Sequence, residues 1–287
     1  MIHIRVLGSA AGGGLPQWNC ACANCIAARG GKIASQTQSS IAFRGDGSDW
    51  FLINASPDLA RQIEATPDLQ PHRNSPRNSP IAGVFLSNPD IDHALGLLLL
   101  RQRETRLDVY AHEQTRSALR WIDIVLEPFC GIKWRTIAKD PSPGDFVVPL
   151  SLGERAGVRA IELRKSIAFQ LRDETSGSTA LIAPSVGEVT DELRDAVNRS
   201  DVVLFDGTFW NDDELHSVRP GARTAREMNH LPIADVSLDL LRQSPARRKI
   251  YMHINNTNPI LMPGSSERIQ VEQAGIEIAC DGLEIAL

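Results

Sequence analysis

The sequence has no apolar run long enough to cross a membrane and no excess of positive charge. Its longest hydrophobic stretch, around 94–100, is far shorter than the roughly 20 residues that a transmembrane helix needs. The formal net charge is −5 and no long basic run is present, which argues against a nucleic-acid-binding surface. We therefore expect a protein without a membrane span and without a nucleic-acid partner.

The N-terminal residues also lead us to expect no secretion signal. Met1 is followed directly by alternating apolar and polar residues, a pattern typical of a β-strand rather than of a signal peptide. Cysteine is scarce: there are five, and three of them lie within six positions, so these three cannot all pair with one another as disulfides. Free, clustered thiols without an export signal indicate the reducing cytoplasm.

The three clustered cysteines, Cys20, Cys22 and Cys25, are suited to holding a metal ion. They follow a glycine-rich turn at 8–14. Zinc is the ion most often bound tetrahedrally by cysteine sulfur, so the segment 18–25 predicts a structural Zn²⁺ site whose fourth ligand comes from elsewhere in the chain or from water. The alternative is a group of small buried thiols in a tight turn.

The glycine-rich turn does not indicate a nucleotide site. It lacks the Gly-x-Gly-x-x-Gly pattern, and no Lys-Ser or Lys-Thr pair follows it. A tight turn that lets the backbone approach other loops closely is the interpretation that the glycines favour.

Strand-like and helix-like segments alternate along the chain, which predicts an α/β fold in one domain that spans 1–287. The strand-like segments are 2–7, 50–53, 81–86, 107–110, 146–150, 158–163, 167–171, 180–182, 202–205 and 250–254. The helix-like segments are 58–64, 95–102, 113–126, 191–198 and 232–242. A polar, proline-containing stretch at 72–80 predicts a surface loop rather than a domain linker.

Carboxylates and an imidazole leave the end of the 81–86 strand together. Asp90, Asp92 and His93 lie within four positions, and carboxylates at alternate positions of a tight loop can point the same way. Carboxylate with imidazole is a ligand set suited to iron, manganese or zinc. The alternative is that Asp90 or Asp92 caps the following helix and His93 lies in its first turn.

Three later residues fit the same pattern. Asp206 follows the 202–205 strand, His253 lies within or at the end of the 250–254 strand, and His230 precedes a helix-like segment, where a loop could present it. Ligand sites in open α/β sheets form beyond the carboxyl ends of strands, so we expect these residues to meet those that follow the 81–86 strand. For any one of them alone, core packing or capping is the alternative.

The order of these motifs along the chain is specific. It runs Asn-x-Asp-x-Asp-His, Asp-Gly-Thr, His and a strand-borne His, and it is accompanied by longer stretches at 7–14, 16–20, 37–42, 54–58 and 253–260. The order resembles the metallo-β-lactamase superfamily, and the longer stretches resemble its PqqB family of pyrroloquinoline quinone (PQQ) biosynthesis, from Met1 to the turn at 281–282. The resemblance implies an αβ/βα sandwich of two mixed sheets flanked by helices.

The chain departs from the hydrolytic members of the superfamily at their metal ligands. Asn88 and Asp90 occupy the positions of the two histidines in His-x-His-x-Asp-His, and the segments 163–166 and 183–187 contain neither the next histidine nor the bridging aspartate. The remaining ligands are too few for two closely spaced zinc ions. They can hold one metal with mixed nitrogen and oxygen ligation, which favours non-haem Fe²⁺. We expect this ion to be bound by Asp90, Asp92, His93 and His253.

The resemblance implies that the iron activates dioxygen to hydroxylate the tyrosine ring of a cross-linked Glu-Tyr precursor of PQQ. Asp206 and His230 would then orient ligands or move protons, with His230 facing the substrate phenol as an alternative. Two other functions remain open. One is a carrier that binds PQQ or its precursor and helps move it towards the periplasm; the other is a metal-dependent hydrolase, which the missing ligands disfavour.

Further expectations concern the zinc site, a shortened segment and the partners. Related hydrolases complete the cysteine site with a histidine three places after their last active-site histidine, and the equivalent position here is Asn256. The family generally carries a longer insertion in the region that reads 164–169 in this chain, so the substrate site could be more open. Other proteins of the PQQ pathway are candidate partners, and the sequence leaves the oligomeric state, with a homodimer as one alternative, undetermined.

Overall fold

Two mixed β-sheets pack face to face in the computed structural model, which describes residues 1–47, 49–72, 77–137, 148–149 and 156–287. The first sheet contains β1 (His3–Gly8), β2 (Ser40–Arg44), β3 (Trp50–Ile53), β4 (Ile81–Phe85), β5 (Leu107–Ala111), β6 (Ile132–Thr136) and β14 (Glu284–Ala286). Their order is β14-β1-β2-β3-β4-β5-β6. The strands from β3 to β6 are parallel to one another, and β14, β1, β2 and β3 form antiparallel pairs.

The second sheet repeats this arrangement. It contains β7 (Val148–Pro149), β8 (Ala156–Glu162), β9 (Ile167–Asp173), β10 (Thr179–Ala183), β11 (Val202–Asp206), β12 (Arg248–Met252) and β13 (Glu277–Ile278). The order is β13-β12-β11-β10-β9-β8-β7. The strands from β10 to β13 are parallel, and those from β7 to β10 are antiparallel. The carboxyl ends of β11 and β12 therefore lie side by side.

Helices flank the two sheets. Within the described residues the α-helices are α1 (Ala23–Arg29), α2 (Leu59–Glu64), α3 (Ile91–Ala94), α4 (Glu113–Ala118), α5 (Arg120–Leu126), α6 (Asp191–Arg199), α7 (Leu238–Gln243) and α8 (Ser266–Gln273). The 3-10 helices are Pro67–Leu69, Leu95–Leu100, Glu214–Ser217 and Pro259–Leu261, and a π-helix runs over Ile233–Ser237. None of these helices combines the length and the apolar composition that a membrane crossing requires.

Alternation along the strands explains the layered core. Side chains of a strand point alternately to its two faces, and Ile4 and Val6 of β1 are buried between the sheets with Phe169 of β9 and Leu204 of β11. Residues on the opposite face of the second sheet, such as Val203, pack against the helices on that side. Burial of each large apolar side chain contributes about 1.5–3 kcal/mol. The predicted αβ/βα sandwich of two mixed sheets is confirmed.

Most of the predicted elements are present, and the differences are local. The predicted helix 113–126 is interrupted at Leu119, and the predicted helix 95–102 is a 3-10 turn preceded by α3. Of the predicted strand 146–150, only 148–149 lies within the described residues, and residues 73–76 of the predicted 72–80 loop also lie outside them. The strands β2, β6, β13 and β14 and the helices α1 and α8 were not predicted.

Candidate metal centres at the strand ends

The residues that follow β4, β11 and β12 meet at one place. Donor atoms of Asp92, His93 and His253 lie within 4.8 Å of one another. Asp206, His230 and His253 form a second group with the same spacing, so His253 belongs to both. The structure thus brings together five of the six residues that the sequence placed at this site.

His93 is held by a fixed hydrogen bond on one side of its ring. The side chain is 1% exposed. Its Nδ1 lies 2.6 Å from Asn88 Oδ1 and 3.1 Å from Ser87 Oγ. An amide oxygen only accepts, so the Nδ1–H donates to Asn88 and Nε2 carries the lone pair. Nε2 is buried and has no hydrogen-bond partner among the described residues. Burial lowers the pKa of His93 to about 4, which keeps the imidazole neutral and able to bind a metal at pH 7.

His253 presents the same ring nitrogen. It follows β12 with a left-handed backbone (φ 55°), and its Nδ1 lies 2.8 Å from Thr208 Oγ1. Nε2 lies 3.2 Å from Asp92 Oδ2. Burial by itself would lower the pKa of His253, but its hydrogen bond to Asp92 and the charge of that carboxylate raise the pKa above the ordinary value.

Asp92 supplies the negative charge of this group. Burial works against its ionised form, but the electrostatic interactions with His93 and His253 and the hydrogen bond from His253 outweigh burial and hold the pKa well below its usual range. The carboxylate is therefore ionised at neutral pH. A Cβ atom at Gly12 would lie 3.3 Å from Asp92 Oδ2, so the glycine-rich turn passes close over this carboxylate, as the sequence indicated.

Asp206 orients its neighbours, because its hydrogen-bonding capacity is already used. Its Oδ1 accepts from the backbone N–H (3.0 Å) and the hydroxyl (2.6 Å) of Thr208. Its Oδ2 accepts from the backbone N–H of Val186 (2.8 Å) and from Nδ1 of His230 (2.7 Å). A carboxylate has about four lone-pair sites, and these hydrogen bonds occupy all four, so a metal would have to replace one of them. Burial opposes its charge, but His230 outweighs that effect and lowers the pKa.

Asp90 is the predicted ligand that lies apart from both close groups. It occupies the N-cap position of α3, yet its side chain makes no capping hydrogen bond; instead, its Oδ2 accepts from Asn88 Nδ2 at 2.8 Å. Its charge partly opposes the lowering of the His93 pKa and adds to the raising of the His253 pKa, and it lines the adjoining cleft. Ligation by Asp90 stays a prediction.

The three clustered cysteines form a separate centre. The Sγ atoms of Cys20, Cys22 and Cys25 lie within 4.8 Å of one another, and the last of them lies in α1 rather than in a loop. Asn256 Nδ2 lies 3.2, 3.5 and 3.3 Å from these sulfurs, so the position counted from His253 does reach the cluster. Asn24 Nδ2 fixes that segment by donating to the backbone oxygens of Asn256 (3.0 Å) and Asn258 (2.8 Å).

The cysteine environment favours one thiolate. Burial opposes ionisation of Cys22, but hydrogen bonds from the Cys25 backbone, from the neighbouring thiols and from Asn256 outweigh it and lower the pKa. Burial raises the pKa of Cys25 to about 11. A bound Zn²⁺ deprotonates coordinating thiols, so the cluster has the donor set of a structural zinc site.

A cleft of about 650 Å³ opens beside the histidine and aspartate side chains. Its lining includes Asp92, His230, Asn88 and Phe209. The volume lies within the range of small-molecule sites in proteins. The site therefore combines a buried donor set with a space in which a small ligand can approach it.

Comparison with known proteins identifies the superfamily to which this fold belongs. Residues 49–254 match the model of the beta-lactamase superfamily domain, and the chain is a member of this superfamily. A diphosphatase of the PhnP family has the same fold, with a TM-score of 0.72 and 18% identity over 100% of this chain and 98% of that one.

Relatives that align over their full length identify the family within this superfamily. The chain is 40% identical to coenzyme PQQ synthesis protein B of Cupriavidus necator and 36% identical to that of Bradyrhizobium diazoefficiens, in each case over 100% of both chains. The crystal structure of Zn²⁺-bound PqqB from Methylobacterium extorquens superposes with a TM-score of 0.86 and 35% identity, over 99% of this chain and 100% of that one. The chain belongs to the coenzyme PQQ synthesis protein B family, as its motifs predicted.

The alignments with these relatives contain more positions than this chain has residues. The alignments extend over 306 and 314 positions, whereas the chain has 287 residues. The relatives therefore contain residues without a counterpart here; the shortening at 164–169 stays a prediction.

Proposed function

We propose that the chain acts in PQQ biosynthesis as an Fe²⁺- and O₂-dependent hydroxylase of the tyrosine ring of the cross-linked Glu-Tyr precursor. The observation that carries the proposal is the donor set of Asp92, His93 and His253, whose ligand atoms lie within 4.8 Å of one another. Two histidines and one carboxylate with open positions are the ligand set of non-haem Fe²⁺ oxygenases. The family name of the relatives supplies the pathway.

The residues fit such an ion. Nε2 of His93 is a buried nitrogen without a hydrogen-bond partner among the described residues, and a buried polar atom left unpaired is costly unless something binds it. The Nδ1–H of each of the two ligand histidines is engaged by Asn88 or Thr208. Such partners on the far nitrogen fix the ring and raise its basicity as a ligand.

In this proposal, residues of the chain itself position the substrate and accept or donate the proton of its phenol. When bound, the iron would activate dioxygen; hydroxylation replaces a ring C–H by C–OH and releases the other oxygen atom as water, with two electrons from an external reductant. His230 lines the cleft with Nδ1 tied to Asp206. That contact fixes the ring so that Nε2 can accept or donate the phenol proton.

The cysteine cluster is proposed to hold a structural Zn²⁺. Its three sulfurs and the adjacent Asn256 brace the segment that carries His253. Cytoplasmic location, action together with other proteins of the PQQ pathway and a homodimeric state belong to the same proposal. The small-molecule ligand is the aromatic, amino-acid-derived precursor or PQQ itself.

The test begins with metal analysis of protein purified without oxygen. We expect about one zinc and one iron per chain. With the free diamino-acid precursor mimic and a reductant, oxygen consumption should disappear when the iron is removed and return when Fe²⁺ is added. His93→Ala should lose iron and turnover, whereas His216→Ala, at an exposed histidine, serves as the matched control.

Three results would contradict the hydroxylase. His93→Ala could retain iron and turnover. Zinc alone, with tight PQQ binding and no oxygen use, would indicate the carrier. Hydrolysis of a generic phosphodiester would indicate the hydrolase.

A further inference from the structure

A second compartment adjoins the cleft beside the metal site. The first has a volume of about 650 Å³ and the second about 480 Å³. Both are lined by Leu215, Arg223, Met228 and Asn255, so the two spaces adjoin along this wall. The second compartment reaches Cys20 and the neighbouring residues of the zinc cluster.

Positive side chains line both compartments. Arg164 and Lys165, in the turn between β8 and β9, line the first, Arg219 lines the second, and Arg223 lines both. Within the part of the chain that the structure describes, none of the four forms an ion pair. Many other arginines do pair with carboxylates, among them Arg135, Arg226, Arg242, Arg248 and Arg268.

The carboxylates in the cleft are already engaged. Asp92 is held by the two histidines, Asp90 accepts from Asn88, and Glu227 accepts from the backbone N–H of Thr224 at 2.8 Å. A divalent ion at the histidines would add positive charge. Hydrogen bonds leave these carboxylates charged, so they balance the three cations of the first compartment, and the added ion would make that compartment positive. The described lining of the second compartment contains Arg219 and Arg223 and no carboxylate. Both compartments would therefore favour an anionic ligand.

Apolar side chains complete the walls. Phe209 and Met228 line the first compartment, and Met228 and Val218 line the second. Aromatic and thioether side chains are favourable surfaces for a flat aromatic ring. A wall of this composition between groups of cations suits a ring system with acidic groups at its ends.

We propose that the two compartments form one elongated site for a planar aromatic ligand that carries carboxylates at both ends. Lys165 and Arg164 bind the carboxylate in the first compartment, and Arg219 with Arg223 binds the one in the second. The inference rests on the proposed function, because the PQQ precursor and PQQ supply this chemistry. It concerns equilibrium binding, which needs no turnover.

The experiment measures binding of PQQ, a tricarboxylate, and of its trimethyl ester to zinc-loaded protein by calorimetry. A charge-assisted contact contributes enough that its loss weakens binding roughly tenfold. We expect this for Lys165→Gln, Arg219→Gln and Arg223→Gln, and about 100-fold for Lys165→Gln combined with Arg219→Gln, since effects at separate sites add. The ester should bind weakly and respond to none of these changes. Arg194→Gln, an exposed arginine of α6, is the matched control.

Two outcomes would overturn the inference. The ester could bind as tightly as the acid, or Arg219→Gln could bind PQQ as well as Arg194→Gln does. If only Lys165→Gln had an effect, the second compartment would have no part in binding and the elongated site would be wrong. Each result is independent of oxygen consumption, so a failure of the hydroxylase leaves this test intact.

Discussion

Asn88 Oδ1 accepts a hydrogen bond from Nδ1 of His93 over 2.6 Å. Asn88 follows β4 and is 4% exposed, at a position where the hydrolytic relatives resembled by the sequence carry a histidine ligand. Here the side chain orients His93, a predicted ligand. The contact leaves Nε2 of His93 as the ring nitrogen available for a metal.

Replacing Asn88 should weaken metal binding in a way that depends on the acceptor oxygen. Asn88→Leu removes the oxygen that accepts from Nδ1 of His93. Loss of a hydrogen-bond partner of a metal-binding histidine typically lowers metal affinity 10–100-fold. Asn88→Asp keeps an acceptor for Nδ1–H and should bind the ion far better than Asn88→Leu. Metal titration of both variants, with circular dichroism to check folding, makes the comparison. Equal affinities would contradict the orienting role.

Removing one cysteine of the cluster should release one zinc and destabilise the fold. Cys22→Ser is expected to lose one zinc equivalent and to unfold at lower temperature, because structural zinc contributes directly to folding free energy. Cys280→Ser, at an exposed cysteine outside the cluster, should keep both zinc and stability. If Cys22→Ser lost iron-dependent turnover with an unchanged melting temperature, a purely structural role would be wrong.

The Thr208 hydroxyl should matter more than the methyl group beside it. It lies 2.6 Å from Asp206 Oδ1, 2.8 Å from Nδ1 of His253 and 2.9 Å from the His253 carbonyl oxygen. Thr208→Val leaves buried polar groups unpaired, at a cost of about 1–3 kcal/mol for each, and should also lower metal affinity. Thr208→Ser keeps the hydroxyl and is the matched control. Denaturant unfolding and metal titration would show whether the two variants differ as expected.

Glu214 should make stability fall as the pH rises. Burial raises its pKa from an ordinary value of 4.5 to about 7, so between these values the folded protein binds more protons than the unfolded chain does. Its contribution to stability is complete below about pH 4.5 and is lost as the pH rises through about 7. At about 1.4 kcal/mol per pKa unit, the loss is roughly 3 kcal/mol.

The variant Glu214→Gln should lack this pH dependence. The free energy of unfolding of the native protein relative to Glu214→Gln is expected to decline between pH 5 and pH 8. Glu104→Gln, at an exposed position, should show no such trend relative to the native protein. A constant difference between the native protein and Glu214→Gln over this range would contradict the prediction.

The sequence predicted the layers of the fold because buried strands carry strong signals. β4 is wholly apolar, β11 is apolar up to its last residue, and β12 has a buried apolar second half. By contrast, β13 and β14 have two and three residues, and β6 is largely exposed. Such short or exposed edge strands depend on their neighbours in the sheet rather than on their own pattern.

The residue types at the site were predictable, but their orientations were not. Asp90 and Asp92 were expected to point the same way, as alternate residues of an extended loop do. The helix α3 begins between them at Ile91, so the alternation ends there. The roles of Thr208 and Asn88 were missed as well. For Thr208, the only signal in the sequence was the motif Asp-Gly-Thr. The partners of Asp206 could not be predicted, because they come from segments far apart in sequence, such as Val186.

The segment that begins at His253 would make the two candidate metal centres interdependent. His253 belongs to the candidate iron site, while Asn256, three residues later, touches all three sulfurs of the cysteine cluster. When an ion at one centre orders this segment, the ion at the other centre binds to a segment that is already ordered. Its binding then costs less conformational entropy. Because coupling between two binding sites is reciprocal, each ion then raises the binding affinity for the other ion by the same factor. Scarcity of zinc would therefore impair the loading of iron, although the proposed role of zinc is purely structural.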